Sequence, residues 1–474
     1  MKKTCSPKWV LSAVALGALS GCASFDLQHG LRDVNQQTQD FAGGAVHLAL
    51  TEQDHAQRLH MATELLAKPM DQRAAVQMML TNSPAFQALI AQNWAQAADA
   101  VQSGRISNPL FSFERIVTGP ETELTRFLSF GLLDVLTLPT RATIAQQRLV
   151  KAQLQFAGDV IDQVTSVRQA WVDAVAAQQS LDYARKVYAI AEAGAELAKR
   201  MEAVGNFNRV TRARHQALYA DASVGFVFAK QQAQAKREAL VRMLGLDEAQ
   251  AQQLQLPDHL PDIPDLPLKP EQVAARLSKN RLDVLQANAQ WLAVSKAQGL
   301  TNITSLTDVE MTLRRGSINN GAGTVTHPRG YEIGVRLPLF DSGDLQRQGM
   351  NARALAAFNN LEATLRAASS YVRESYVAYR SAYDISRQFR DEVLPLQQTI
   401  ADENILRYNG MIIGVFELMA DARQQMNAVR AAIDAQQQFW RADAALQASL
   451  IGRPAGVSLN ALTGSAGSDA GNGH

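Results

Sequence analysis

The chain has 474 residues, enough for two or more domains or one large elongated one. Its 46 basic and 45 acidic residues nearly cancel, and few aromatics beside abundant Ala and Gln suit long packed helices. Without the first 21 residues, which hold Lys2, Lys3 and Lys8 and no acid, the formal charge falls from +1 to −2, leaving no charge basis for a nucleic-acid partner.

Residues 1–21 read as a secretory signal peptide. A basic start precedes an apolar run over residues 9–19 that is too short to span a bilayer. The run ends in Leu19-Ser20-Gly21-Cys22, which resembles the lipobox of bacterial lipoproteins and implies a lipidated Cys22 at the head of the mature chain. Cys5 and Cys22 are the only cysteines, so the mature chain holds no free thiol and no disulfide, against redox or cysteine–metal chemistry. Ala23, and not Asp, follows the cysteine, which fits outer-membrane sorting. Several acyl chains on one residue would anchor it firmly in outer-membrane lipid.

Residues 22–71 are polar and mixed, with a Gly43-Gly44 break and Pro69, and read as short helices and loops. The spacing of Val76, Met79, Leu80, Phe86, Leu89, Ile90 and Ala97 predicts a helix over 72–103, stopped by Gly104 and Asn108-Pro109. Two strands follow, at 110–117 and 123–133, joined by a turn at 118–122. Leu124, Arg126, Leu128, Phe130 and Leu132 share one face, so the alternation is only partial. Pro139 ends this region.

From Arg141 to Gly245 there is no proline. This stretch reads as two long antiparallel helices with a turn near Gly205-Asn206-Phe207-Asn208. The first arm, 143–203, would be about 90 Å long at about 1.5 Å per residue. Charged residues recur along it, among them Lys151, Asp159, Arg168 and Glu192, so it is a coiled coil and not a membrane span. Residues 256–270 then hold five prolines in fifteen positions, a stiff extended connector.

The pattern starts again at Glu271, with a helix to Gly299. A strand at 308–314 alternates cleanly, as does a second at 331–339, across a Gly- and Asn-rich loop at 316–328. A long helix over 345–408, kinked at Pro395, leads through a turn at 409–414 to a last helix ending near Gly452. Residues 453–474 read as a disordered tail.

The two halves, 72–255 and 271–452, therefore match as internal repeats of helix, two strands and long hairpin. Asn82 pairs with Asn280. At an offset of 209, Val204-Gly205-Asn206-Phe207 aligns with Ile413-Gly414-Val415-Phe416, and Ala213-Arg214 with Ala422-Arg423. Four strands cannot close a barrel, and an open sheet edge in lipid leaves backbone groups unsatisfied at several kcal/mol each. If these strands enter a membrane, several chains must share one barrel, and three chains would supply twelve strands.

Asn82-Ser83-Pro84, Asn108-Pro109, the Gly-containing turns followed by Ala-Arg and, above all, Leu337-Pro338-Leu339-Phe340-Asp341-Ser342-Gly343 make the chain resemble the TolC-like outer-membrane efflux proteins, lipoprotein branch, over residues 72–452. The resemblance implies a mainly α fold with a small β part: a homotrimer whose helical hairpins form an α-barrel and whose four strands per chain share a twelve-stranded transmembrane barrel, with residues 22–71 and the connector at the equator. It implies an exit duct in the outer membrane of a Gram-negative bacterium, extending into the periplasm. Its partners would be a periplasmic adaptor, meeting Val204, Gly205, Asn206, Phe207, Ile412, Ile413, Gly414 and Val415, and an inner-membrane efflux pump.

The resemblance also implies a periplasmic gate of inter-helix polar bonds and acidic rings. Glu417 falls on the first acidic ring position. Ala420 occupies the second, with Asp421 beside it, and Tyr408 is near. Where the family often has an acid after the first turn, this chain has Arg209, Arg212 and Arg214. Arg209 or Arg212 is therefore expected to pair with Glu417 or Asp421 in the closed state.

The eight histidines form no ligand pattern, and Met411, Met419 and Met426 read as packing before soft-metal contact. No nucleotide loop, nucleophile elbow or catalytic carboxylate pair points to an enzyme, and no cofactor is expected. The rival reading is a periplasmic coiled-coil lipoprotein that bridges envelope layers without transport, which would need no strands.

Overall fold

The computed structural model describes residues 27–276, 281–320 and 322–456. The signal peptide, Cys22, Asn280 and residues 457–474 lie outside them. The described residues divide into two compact units, one of residues 27–34, 91–156, 283–320 and 322–366, the other of 35–90, 157–276, 281–282 and 367–456.

The first unit holds the sheet. β1 (Leu110–Thr118) and β2 (Glu121–Gly131) form a hairpin, β2 pairs with β3 (Val309–Asn319), and β3 pairs with β4 (Val325–Thr326) and β5 (Arg329–Val335), all antiparallel. Among the described residues there are five strands where four were expected. The β1–β2 turn is only Gly119-Pro120, so both strands run further into the predicted turn. β3 extends to Asn319 because β2 supplies partners up to Thr122, and the short β4 forms inside the predicted loop. β5 stops at Val335 and not Leu339, since its partner β3 begins only at Val309, opposite Val335; the Arg336 N–H still reaches Asp308 O at 2.9 Å.

The register is unbroken across β1, β2, β3 and β5, so partners share a face. One face carries Phe111, Phe113, Leu124, Leu128, Phe130, Val309, Met311, Leu313, Tyr331, Ile333 and Val335. The other is mostly polar: the Ser129 and Thr312 hydroxyls lie 2.9 Å apart, and Arg314 donates to Glu123 at 2.9 Å. The apolar face is uncovered, with Phe111, Phe113, Tyr331, Ile333 and Val335 all exposed. The specific Leu337–Gly343 sequence closes the sheet end: the Asp341 carboxylate accepts the Gly343 N–H at 2.8 Å, Arg347 donates to Ser342 O and Ser305 Oγ, and Leu337, Leu339 and Phe340 are left in the open.

The helices depart from expectation at their ends. The predicted helix over 72–103 is two, α3 (Gln72–Asn82) and α4 (Pro84–Gln102), because Pro84 removes a donor and unseats Ser83. It is preceded by α1 (Leu27–Ala42) and α2 (Glu52–Leu66). The long arm α5 spans Leu132–Ala203, so Pro139 lies inside it rather than ahead of it. The Thr137 hydroxyl bonding Leu133 O and an Asp134–Arg141 ion pair brace that first stretch. α6 (Arg209–Leu244) completes the hairpin, and short α7 (Glu248–Gln253) and α8 (Pro270–Arg276) flank the connector. α9 (Leu282–Thr304) enters the sheet and α10 (Asp344–Gln388) leaves it. The kink expected at Pro395 is a π-helical turn, Phe389–Val393, ahead of α11 (Leu394–Asn409), in which the Leu394 N–H reaches back to Phe389 O. α12 (Val415–Ile451) ends the fold. Among the described residues no helix is long and apolar enough to cross a membrane.

In the second unit the proline connector is strapped to the helices. Its prolines cannot donate, so its carbonyls are met by side chains: Tyr383 OH on Asp265 O at 2.7 Å, Tyr376 OH on Leu268 O, and Trp440 Nε1 on Pro261 O at 2.9 Å. These rings stand on a core of Val372, Tyr379, Phe439, Leu446 and Leu450. Arg453, placed by sequence in the disordered tail, is fixed instead by Asp159 and Asp162 of α5.

Asn82-Ser83-Pro84 and Leu244-Gly245 form one joint. Asn82 Nδ2 donates to Gly245 O at 3.0 Å and to Gln250 Oε1. Gly245 takes φ +68°, and a Cβ there would sit 2.5 Å from Ser83 Cα. Gly245→Ala should therefore destabilise the chain by about 2–4 kcal/mol. Thermal unfolding checks this; an unchanged midpoint would contradict the close approach.

Candidate functional site: the two hairpin tips

Both tips lie in the second unit and are built alike. In the first, α5 ends in a turn in which the Gly205 N–H reaches Glu202 O (2.9 Å) and the Asn206 N–H reaches Met201 O (2.8 Å). This is a left-handed helix stop, and Gly205 supplies the φ of +80°. Asn208 then caps α6, its side chain accepting from Thr211 N and Thr211 Oγ1. In the second tip the Met411 N–H reaches Tyr408 O and the Ile412 N–H reaches Arg407 O, both at 2.9 Å, and Gly414 occupies the cap position of α12.

The shared bonding aligns Gly205 with Met411 and Asn208 with Gly414, an offset of 206. The sequence alignment at 209 therefore fails at the turn, because it matched glycines that do different jobs: one turns the chain, the other caps a helix. Met411 holds φ +57°, the one non-glycine residue with positive φ among the described residues, and it is 93% exposed.

The named tip residues separate into two sets. Val204 and Ile412 are exposed. Phe207 is half-buried and stacks on His215, with ring centroids 6.0 Å apart, while Ile413 is buried. These two pin their hairpins and present little to a partner. Gly205, Asn206 and Gly414 are exposed; nothing is described of the Val415 side chain. His215 is buried with Nε2 unpartnered, and burial holds its pKa below the ordinary histidine value.

The charged residues do not meet as expected within one chain. Arg212 pairs with Glu202 of its own hairpin at 2.6 Å. Asp421 accepts from the buried Asn404. Arg209 and Glu417 are exposed, Glu417 in the first turn of α12 where the helix dipole favours an acid. Tyr408 is exposed beside the turn. What does join the two hairpins is a set of pairs higher up that the sequence did not single out: Arg423 with Asp221 at 3.7 Å, and Asp173, itself paired with Lys236 of its own hairpin, with Arg441 and Gln437. Only the Ala-Arg element containing Arg423 had pointed there.

No family model matches the sequence, and no curated protein does. Solved structures do. A membrane protein of Pseudomonas aeruginosa is 17% identical over 82% of this chain and 93% of its own, at a TM-score of 0.67. The outer membrane protein VceC of Vibrio cholerae is 17% identical over 84% and 96%, at 0.65. The CmeC outer membrane channel of Campylobacter jejuni is 13% identical over 86% and 90%, also at 0.65. The fold is that of the TolC-like outer-membrane channels. At such identities the likeness lies in architecture, in the small sheet and the long helical hairpins, and the TolC-like fold accommodates a tip chemistry with arginines at 209, 212 and 214.

A methionine in the left-handed region costs about 1 kcal/mol relative to glycine. Met411→Gly should accordingly raise the unfolding midpoint; a fall would contradict the turn geometry.

Proposed function

We propose that the chain is a passive outer-membrane exit duct of a tripartite efflux system. Three copies, each giving β1, β2, β3 and β5 and leaving the two-residue β4 to the loop, close one twelve-stranded barrel and line a periplasmic tunnel with their helices. An inner-membrane pump and a periplasmic adaptor drive transport. The chain would be anchored through Cys22 to the outer membrane. It would act without a cofactor and without catalysis.

The observation that carries this reading is the sheet. Its unbroken register puts most apolar side chains on one uncovered face and most polar ones on the other, with Leu110, Ile116, Phe127 and Ile318 the apolar exceptions, as a barrel wall between lipid and water requires. A coiled-coil bridge between envelope layers has no use for such a wall. The TolC-like fold of the solved channels supports the same reading.

At the tips, Val204, Met411 and Ile412 offer the adaptor an apolar contact that would be costly left bare. Three copies of Glu417 would ring a narrow axis, favouring cations and resisting full ionisation together. Since Arg212 and Asp421 have partners within their own hairpins, Arg209 and Glu417 are the charges left to pair between neighbouring copies in the closed state. Exposed pairs contribute only about 0–1 kcal/mol, so such a gate opens easily.

Purified from outer membrane, the protein should run as an SDS-resistant trimer and conduct in planar bilayers, with Arg209→Glu leaking more than the parent. A water-tight or monomeric product would sink the duct; unchanged leakage in Arg209→Glu and Arg212→Glu would sink the gate.

A further inference from the structure

The apolar face of the sheet is interrupted at one level. Arg126 of β2 stands directly opposite Arg315 of β3, which stands directly opposite Arg329 of β5. Arg115 of β1 lies on the same face, one pleat further on, opposite Leu124. All four are exposed. The face carries no acid on any of these strands, and none of the four arginine side chains makes an ion pair or hydrogen bond among the described residues. The ion pairs of the sheet belong to the other face, as with Arg314 and Glu123.

Like charges directly opposite one another on a sheet repel. With strands about 4.8 Å apart, three guanidinium groups crowd within about 10 Å and no protein carboxylate relieves them. The position of the row is as telling as its charge. On one side lie three registers of apolar residues, ending in Phe111, Leu128, Leu313 and Tyr331, and then the helices. On the other lie Leu124 and Val117 among Thr122, Ser317 and Asn319, and then the loops. An acyl chain laid on the apolar registers would set its headgroup at the arginines.

We propose that this row binds the phosphate of anionic lipid headgroups in the leaflet remote from the helices. The inference rests on the membrane reading of the sheet. Guanidinium forks match phosphate oxygens two at a time, and the adjoining aromatic residues belong at a membrane interface. The row would fix the depth of the barrel and make trimer stability depend on lipid charge.

The test uses the purified full-length trimer in neutral detergent, titrated with short-chain phosphatidic acid and followed by native mass spectrometry and thermal melting. Conductance is measured on the same preparations. The wild type should bind phosphatidic acid, gain thermal stability and ignore diacylglycerol. Replacing Arg126, Arg315 and Arg329 together by Gln should weaken binding by about tenfold or more, while Arg314→Gln, on the polar face, should not. Undiminished binding in the triple variant, with conductance intact, overturns the lipid site and leaves the channel reading standing. Displacement by inorganic phosphate at equal concentration overturns it too, since a bare anion then suffices. A wild type that neither trimerises nor conducts overturns the channel reading and the lipid site with it.

Discussion

An open sheet edge cannot be left in hydrocarbon. β1 pairs only with β2, and β5 only with β3, so each chain ends in two rows of unpaired N–H and C=O groups, at several kcal/mol per group in lipid. The apolar face adds to the same demand, because in water it is a broad hydrophobic patch and in a bilayer it is a wall. Both are relieved at once when the β1 edge of one copy meets the β5 edge of the next. The proposed barrel, closed between copies, and the axis around which Glu417 would then repeat both answer that one requirement.

The helical unit meets a different constraint, the orphan groups at helix ends. It resolves them by joining ends to one another: Asn82 caps the close of the first hairpin through Gly245 O, and the tyrosines and Trp440 satisfy a connector whose prolines leave carbonyls in excess. The ends held in this way are the ends remote from the tips. At the tips the chain keeps exposed apolar residues and a left-handed methionine, features that stability alone would remove.

Much of this was legible in the residues. The long hairpins followed from apolar spacing without proline, and the strands of the second half from clean alternation. The first pair of strands alternated poorly because Arg126 interrupts Leu124, Leu128 and Phe130; only the register with Arg315 and Arg329 turns that irregularity into a row. The break at Ser83, the π-turn ahead of Pro395 and the helical start at Leu132 were blurred because a proline marks a disturbance within a few residues and not its form. At the tips, glycine misled. Gly205 and Gly414 look alike in sequence, yet the backbone bonds assign the turning position to Met411, which no propensity would choose. The partners of Arg212 and Asp421 were beyond reach because the competing residues, Glu202 and Asn404, lie one helical arm away.

The most direct test of the account joins the two edges chemically. Cys5 and Cys22 are the only native cysteines, so single cysteines placed on β1 at Ser112 or Glu114 and on β5 at Glu332 or Gly334 can be paired in combination and oxidised in purified outer membrane. A barrel closed between copies should give covalent trimers on non-reducing gels for at least one β1–β5 combination and none for either cysteine alone. Monomers in every combination, in a protein that is folded and in the membrane fraction, would contradict a barrel closed between copies.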